Sequence, residues 1–191
     1  MSDLQGQIDI PGGSSVVDLA YNSVGDVLGV LHADGSTQIY QLDENRHFQS
    51  VGGTAPICHN ACSLTFAPPE WGTVFAFADT GGEIFLYQRR KQQGFVLSRS
   101  LPRVSAAIND IKFGTTGLVI AVAASDGSLY ILQSRQQNWE LHVLKIAETP
   151  LIGISFAPTS PAYITESPTT QMAAVGSADG RISIVVPLRG W

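Results

Sequence analysis

The apolar positions of this 191-residue chain fall into three successive runs, and the same order of runs recurs four times. In the clearest copy, residues 108–133, an alternating run over 108–113 reaches a glycine-containing turn at 115–117. A denser apolar run over 118–124 follows, stops at Ser125-Asp126-Gly127, and gives way to a third run over 128–133. Strict alternation suits a strand buried on one side, and a short continuous apolar run bounded by turn signals suits one buried on both. Asp-Gly between two such runs signals a hairpin, because glycine accepts the positive φ of a tight primed turn. The unit is therefore expected to be a three-stranded meander with a buried middle strand.

The other copies lie at 16–42, 61–89 and 152–186. Their hairpin turns are predicted at Asp34-Gly35, at Gly81-Gly82 (read as a positive-φ pair), at Asp126-Gly127 and at Asp179-Gly180. The aromatic residue near the end of the first run is Tyr21, Phe66, Phe113 and Phe156, recurring every 43 to 47 residues. The last copy is stretched by a Pro/Ser/Thr-rich insertion at 159–171. A fourth apolar segment follows each of the first three units, at 47–51, 95–101 and 139–146, after polar linkers. Four antiparallel strands about every 40–45 residues are the signature of β-propeller blades. The predicted fold is all-β: a single domain over 1–191 forming a partial, open propeller of about four blades of four antiparallel strands. The blades are placed at 16–53, 61–101, 108–146 and 152–188. Alanines in the second runs, such as Ala76, Ala78, Ala121 and Ala123, would let blades approach closely. No segment longer than one turn reads as helix.

Composition narrows the function classes. The chain is 44% hydrophobic and 14% charged, with 19 Gly and 10 Pro, which fits many short strands and turns rather than amphipathic helices. A formal net charge of −5 argues against direct nucleic-acid binding. Two cysteines are too few for a disulfide-stapled scaffold, and the N-terminus carries an acid without the apolar core of a signal peptide. The longest apolar run, 117–124, is far below the ~18 residues of a membrane-spanning helix. The expectation is an intracellular chain that meets membranes only through a complex.

Candidate chemistry is sparse. Cys58-His59-Asn60-Ala61-Cys62 holds ligand types that zinc favours, but structural zinc takes four ligands and the remaining histidines lie in other units. No metal is expected. Gly12-Gly13 and Gly52-Gly53 precede no helix and read as loop glycines rather than phosphate cradles. No nucleophile elbow, phosphate loop or paired-carboxylate segment occurs, and His32 is the single faint candidate for a propeller hydrolase. No catalytic residue, cofactor or small-molecule substrate is assigned. Two features suit partner contact: the basic run Arg89-Arg90-Lys91, placed on the outer hairpin of the second blade, and Trp71, placed in a loop at the blade rim or packed under Pro68-Pro69.

An alternating strand, a buried Ala-rich strand, Asp-Gly and an apolar third strand together resemble a WD-repeat blade. The signature is degenerate. Tyr40, Tyr87, Leu132 and Val185 stand where the family usually carries Trp, and Gln41, Gln88, Gln133 and Val186 where it carries Asp. Of the family's hydrogen-bond tetrad, the turn residues Asp34, Asp126 and Asp179 remain. Within that family, the segments 66–89 and 108–131, Trp139, and a fourth blade with its insertion are similar, in order, to the small scaffold propellers of the nuclear-pore Y-complex and of vesicle coats. That resemblance runs from about Val16 to Val186. It implies a non-enzymatic scaffold with α-helical nucleoporin or coat-subunit partners, one of which donates a blade. It also implies a location at the nuclear envelope, or alternatively in the cytoplasm on a vesicle coat or lysosomal surface. Such propellers have six blades of their own, so this chain reads either as a partial sequence or as one whose open side a partner covers. A generic WD-repeat adaptor, such as a ubiquitin-ligase substrate receptor or a signalling platform, shares the fold and is the alternative.

Overall fold

The computed structural model of the chain describes residue 8 and residues 14–115, 117–135, 138–158 and 171–186. Fifteen strands account for nearly all of its regular structure. The first blade comprises β1 (Val16–Tyr21), β2 (Val27–His32), β3 (Thr37–Leu42) and β4 (Phe48–Thr54), and the second β5 (Ala61–Phe66), β6 (Val74–Asp79), β7 (Ile84–Arg90) and β8 (Gly94–Ser100). The third comprises β9 (Ile108–Phe113), β10 (Val119–Ala124), β11 (Ser128–Arg135) and β12 (Asn138–Lys145), and the fourth β13 (Leu151–Phe156), β14 (Ala173–Ser177) and β15 (Ile182–Val185). Each blade is a separate antiparallel sheet with its strands in chain order. The expected all-β blade architecture is therefore present. The fourth blade has three strands among the described residues, in keeping with the fourth apolar segment that follows only the first three units, and β15 pairs only with β14. Among the described residues the single helical element is one 3-10 turn, Pro69–Trp71. Residues 159–170 of the insertion, and 187–188 of the predicted fourth blade, lie outside the described residues.

Dense runs become the most enclosed strands: every residue of β6 and β10 is buried. Each blade lends one face to a core shared with its neighbour. Leu31 and Ile39 of blade one meet Leu64, Phe75 and Phe77 of blade two. Ala76, Ala78 and Leu86 of blade two meet Ile111, Ile120 and Val122 of blade three, and Ala121 and Ile131 of blade three meet Ile154 and Val175 of blade four. The innermost strands follow one another around the arc, β1 on β5, β5 on β9 and β9 on β13, whereas β13 has no comparable packing on β1. The arc is open between its first and last blades.

All four predicted hairpins form, but not as two-residue primed turns. In the first, the Gly35 amide donates to the His32 carbonyl at 2.9 Å and the His32 amide to the Ser36 carbonyl at 2.9 Å. Ala33 and Asp34 are thus the centre of an ordinary turn, and only Gly35 has positive φ, at 77°. This is a three-residue loop closed by a left-handed glycine. Gly82, Gly127 and Gly180 repeat it with φ of 91°, 79° and 83°. Gly81 does not have positive φ, so the expected Gly81-Gly82 pair is corrected to one left-handed residue. The aspartates hold the turns through their side chains. Asp34 Oδ1 accepts the Ser36 amide at 3.0 Å, and Asp126 Oδ1 accepts the Ser128 amide at 2.9 Å, each fastening its loop to the strand that follows. In blade two, Asp79 does this from the other side of the loop, accepting the Glu83 amide at 2.9 Å. A Cβ at residue 81 would sit 3.2 Å from that carboxylate.

Hydrogen bonds hold the carboxyls of Asp34, Asp126 and Asp179 below their ordinary value of 3.8. For Asp34 the Ser36 hydroxyl is the main cause, and for Asp179 the Ser177 hydroxyl. At Asp126 burial pushes the carboxyl up, but the Tyr130 hydroxyl and the Ser128 amide outweigh it. A carboxyl depressed in the folded state stabilises the fold above its unfolded value and loses that contribution as pH falls through the folded value. The urea midpoint is therefore expected to hold steady above about pH 5 and to fall from about pH 4 downward. Changing Asp34, Asp126 and Asp179 together to Asn should flatten that fall, as urea titrations at several pH values would show.

Candidate interaction surface

The junctions between blades use one position of the innermost strand. A bulge lies at the same place in all four innermost strands, with Val17, Cys62, Asn109 and Ile152 as the residues skipped in the pairing. The residue just after it is Asp18, Ser63, Asp110 or Gly153. That side chain reaches into the next blade. Asp18 Oδ2 accepts the Leu64 amide at 2.7 Å, Ser63 Oγ the Ile111 amide at 3.3 Å, and Asp110 Oδ2 the Ile154 amide at 2.9 Å. Ser63 Oγ also donates to Asp110 Oδ1 at 2.9 Å, so blades two, three and four are tied through one carboxylate, which also pairs with Lys112 at 3.0 Å. Asp110→Ala leaves the Ile154 amide without an acceptor in a largely buried junction. It is expected to cost about 1–3 kcal/mol, read as a lower urea midpoint, with Asp110→Asn recovering part of the loss.

The hairpin loops form the second contact between blades. The chain leading to the next blade donates its Ile57 amide to Asp34 O at 3.1 Å, its Val104 amide to Gly82 O at 2.9 Å, and its Ala147 amide to Gly127 O at 3.0 Å. Arg103 adds side-chain bonds to Gly81 O at 2.8 and 3.2 Å. Tyr130 donates to Asp126 Oδ2 at 2.8 Å and lies 3.0 Å from Ser105 Oγ, joining turn, strand and linker. Asp18, Ser63, Asp110, Arg103 and Tyr130 were not identifiable from sequence motifs. The aligned Asp18, Ser63 and Asp110 were the available signal.

At the two ends of the arc these junctions stop. On the last blade, Ile182 and Ile184 are 75% and 64% exposed, although they occupy the positions of Ile84 and Leu86 and of Leu129 and Ile131, which are all buried. On the first blade, Leu19 and Tyr21 are 58% and 57% exposed at the positions of the buried Leu64 and Phe66. Nothing lies within 4 Å of a Cβ built at Gly180, where the other three loop glycines meet a neighbouring segment. The exposed apolar surface is thus concentrated where a further blade would pack.

The structure brings together the eight turn residues only in pairs, one pair per blade. Trp71 ends the 3-10 turn and is 42% exposed. Arg89 and Arg90 end β7 and Lys91 begins the turn to β8, all three exposed on the outer hairpin of blade two. Arg89 reaches Gln41 of blade one at 3.4 Å. No site joins Trp71 to this basic run.

The remaining candidates separate. Cys58 and Cys62 are free thiols, pushed by burial to about 11 and about 12, so both stay protonated and poorly nucleophilic near neutral pH. Among the described residues no group of three or more His, Cys, Asp or Glu gathers as metal ligands would. His32 is buried, its Nδ1 donating to Ser14 O at 2.9 Å. An open trough of about 840 Å³ along the inner strands has only Glu70 and Lys112 as charged lining residues, and His32 is not in it. Among the described residues no helix is long and apolar enough to cross a membrane.

No family model matches the chain. It is 22% identical over 184 residues to "Protein transport protein SEC13" of Coccidioides immitis (strain RS), an alignment covering 87% of this chain and 59% of that protein. It is also 22% identical over 166 residues to the SEC13 homolog of Drosophila melanogaster, covering 85% of this chain and 46% of that protein. Against the sec13 transport protein of Emericella nidulans it is 23% identical over 164 residues, covering 78% and 52%. The chain spans about half the length of these curated relatives. With its four consecutive antiparallel blades, the chain has β-propeller architecture and is similar to the SEC13 transport proteins.

Proposed function

We propose that the chain is a non-enzymatic scaffold subunit of a transport assembly of the nuclear-pore outer-ring or vesicle-coat class. The observation that carries this reading is the outer edge of β15. β3, β7 and β11 each carry an outer strand there, whereas β15 has none among the described residues. An edge of that kind pairs readily with an extended segment from another chain, whose main-chain hydrogen bonds supply affinity. The partner is an α-helical scaffold subunit that contributes β-structure to this side of the arc. Trp71, Arg89, Arg90 and Lys91 offer it a separate rim contact. Support for the class comes from the similarity to proteins named for protein transport. The corresponding location is the nuclear envelope, with a cytoplasmic vesicle coat or lysosomal surface as the alternative.

Affinity capture of the tagged full chain from its own cells tests the reading. Pore or coat subunits should dominate the captured material, and imaging should place the tag at a nuclear rim or on vesicles. Capture without such subunits, together with diffuse signal, would point instead to an adaptor.

A further inference from the structure

We infer that the outer edge of β12 pairs antiparallel with the same edge of a second copy of the chain, about a two-fold axis through Leu141. Blades two and three each have a neighbour on both faces, yet β8 and β12 still end their sheets. The β12 edge is therefore open because blades pack face to face, and not because of where the arc ends. The other outer strands are interrupted. Val51 of β4 and Ser98 of β8 are skipped in the pairing at equivalent places, and a bulge twists an edge and breaks its line of outward amides. In β12 the eight residues Asn138–Lys145 pair with β11 in unbroken register. Lys145 does not guard this edge, since its ammonium turns back to Asp126 O at 2.6 Å.

Antiparallel ladders alternate between pairs that exchange hydrogen bonds and pairs that do not. The Ile146 amide donates to Gly127 O at 3.0 Å in the continuing register of β11 and β12, so even-numbered residues of β12 bond toward β11. Trp139, Leu141 and Val143 accordingly turn their N–H and C=O groups to the open edge. Their side chains share one face of the blade, where Trp139 and Leu141 pack on the core between blades two and three. Glu140 and His142 lie on the other face, both exposed.

The strand is complementary to itself in one central register. With Glu140 or His142 on the axis, that residue would face its own counterpart, and like charges directly opposite are unfavourable. With Leu141 on the axis, Glu140 of each copy lies opposite His142 of the other, in the closer, non-hydrogen-bonded kind of pair. Within one copy Glu140 is held loosely, by Arg135 at 3.7 Å and His142 at 3.8 Å, so its carboxylate can be shared across the axis. On the other face Trp139 meets Val143 on either side of the Leu141 pair, an aromatic against a β-branched side chain. The Leu141 pair and both Trp139–Val143 pairs each exchange two main-chain hydrogen bonds. Such a contact is isologous and stops at two copies.

An interface of one strand edge is small and weak, so sedimentation equilibrium on the full chain is extended to about 300 µM, where dimers should appear. Val143→Pro removes an outward N–H and none of the bonds to β11, and should raise the dissociation constant on the order of 100-fold. His142→Glu sets carboxylates opposite each other on both sides of the axis and should raise it about 10-fold. Adding Glu140→Lys to that variant should recover the dimer, because opposite charges face each other again. Circular dichroism checks folding, and the two charge variants, at exposed positions, test the register even if the proline variant does not fold. A wild-type chain that stays monomeric, a dimer indifferent to these variants, or a double variant no better than His142→Glu would each overturn the proposal. So would a different protein captured through this edge by a monomeric wild-type chain and lost with Val143→Pro. The β15-edge reading is separate from this result, since it concerns a strand of another blade.

Discussion

Phe75→Ala is expected to cost about 3–5 kcal/mol of folding stability, seen as a markedly lower urea midpoint with the β signature of the residual native state unchanged. Phe75 has no exposed surface and sits at the centre of an aromatic cluster drawn from all four strands of blade two. It stacks on Tyr87 at 5.4 Å between ring centroids and meets Phe66 at 5.9 Å and Phe95 at 5.4 Å in tilted arrangements. Truncation therefore loses three ring contacts, each worth about 0.5–1.5 kcal/mol beyond the area it buries. It also opens a cavity that the strand backbone cannot collapse to fill. The cluster packs against Leu31 and Ile39 of blade one, so the loss extends across a junction. Phe75→Leu should cost much less, and Leu97→Ala, at an exposed position of β8, should stay within about 0.5 kcal/mol of wild type. Comparable losses for Phe75→Ala and Leu97→Ala would contradict this packing.

Much of that arrangement is legible in the amino-acid sequence, because strand burial leaves a periodic trace. The dense second run marks β6 and β10 as enclosed on both faces, and the recurrence of Tyr21, Phe66, Phe113 and Phe156 sets the blades in phase. The fourth strands are also placed correctly to within a few residues, β12 at Asn138–Lys145 against a predicted 139–146. Turn geometry is less legible. The same Asp-Gly dipeptide serves a two-residue primed turn or the last two positions of a three-residue loop, and only the pairing of His32 with Ser36 distinguishes them. The acceptor that links blades is harder still, since Asp18, Ser63 and Asp110 share a position and a task but not a residue type. Individual exposures are harder to read: Ile182 and Ile184 carry the same alternation as Leu129 and Ile131, yet the first two are exposed and the last two buried, so local pattern alone does not separate them.

The loop glycines separate a backbone requirement from a packing requirement, and Gly127 carries both. Gly127→Ala is expected to cost about 2–5 kcal/mol, of which 1–2 is the left-handed conformation and the rest overpacking. A Cβ there would lie 2.0 Å from the Ala147 carbonyl oxygen and 2.8 Å from that of Thr149. These are backbone atoms, so no side chain can swing aside. Making room means moving the linker to blade four, and that linker is held by the Ile146 and Ala147 amides, each donating to Gly127 O at 3.0 Å. Gly180 has nearly the same φ, 83° against 79°, in the same loop, but nothing lies within 4 Å of its Cβ position. Gly180→Ala should therefore show the conformational part alone, about 1–2 kcal/mol. Chemical denaturation of the two variants, side by side under conditions where the chain is monomeric, measures the difference as the cost of displacing the linker. Equal losses at both positions would mean that the linker yields freely and that the hairpin loops do not fix one blade against the next.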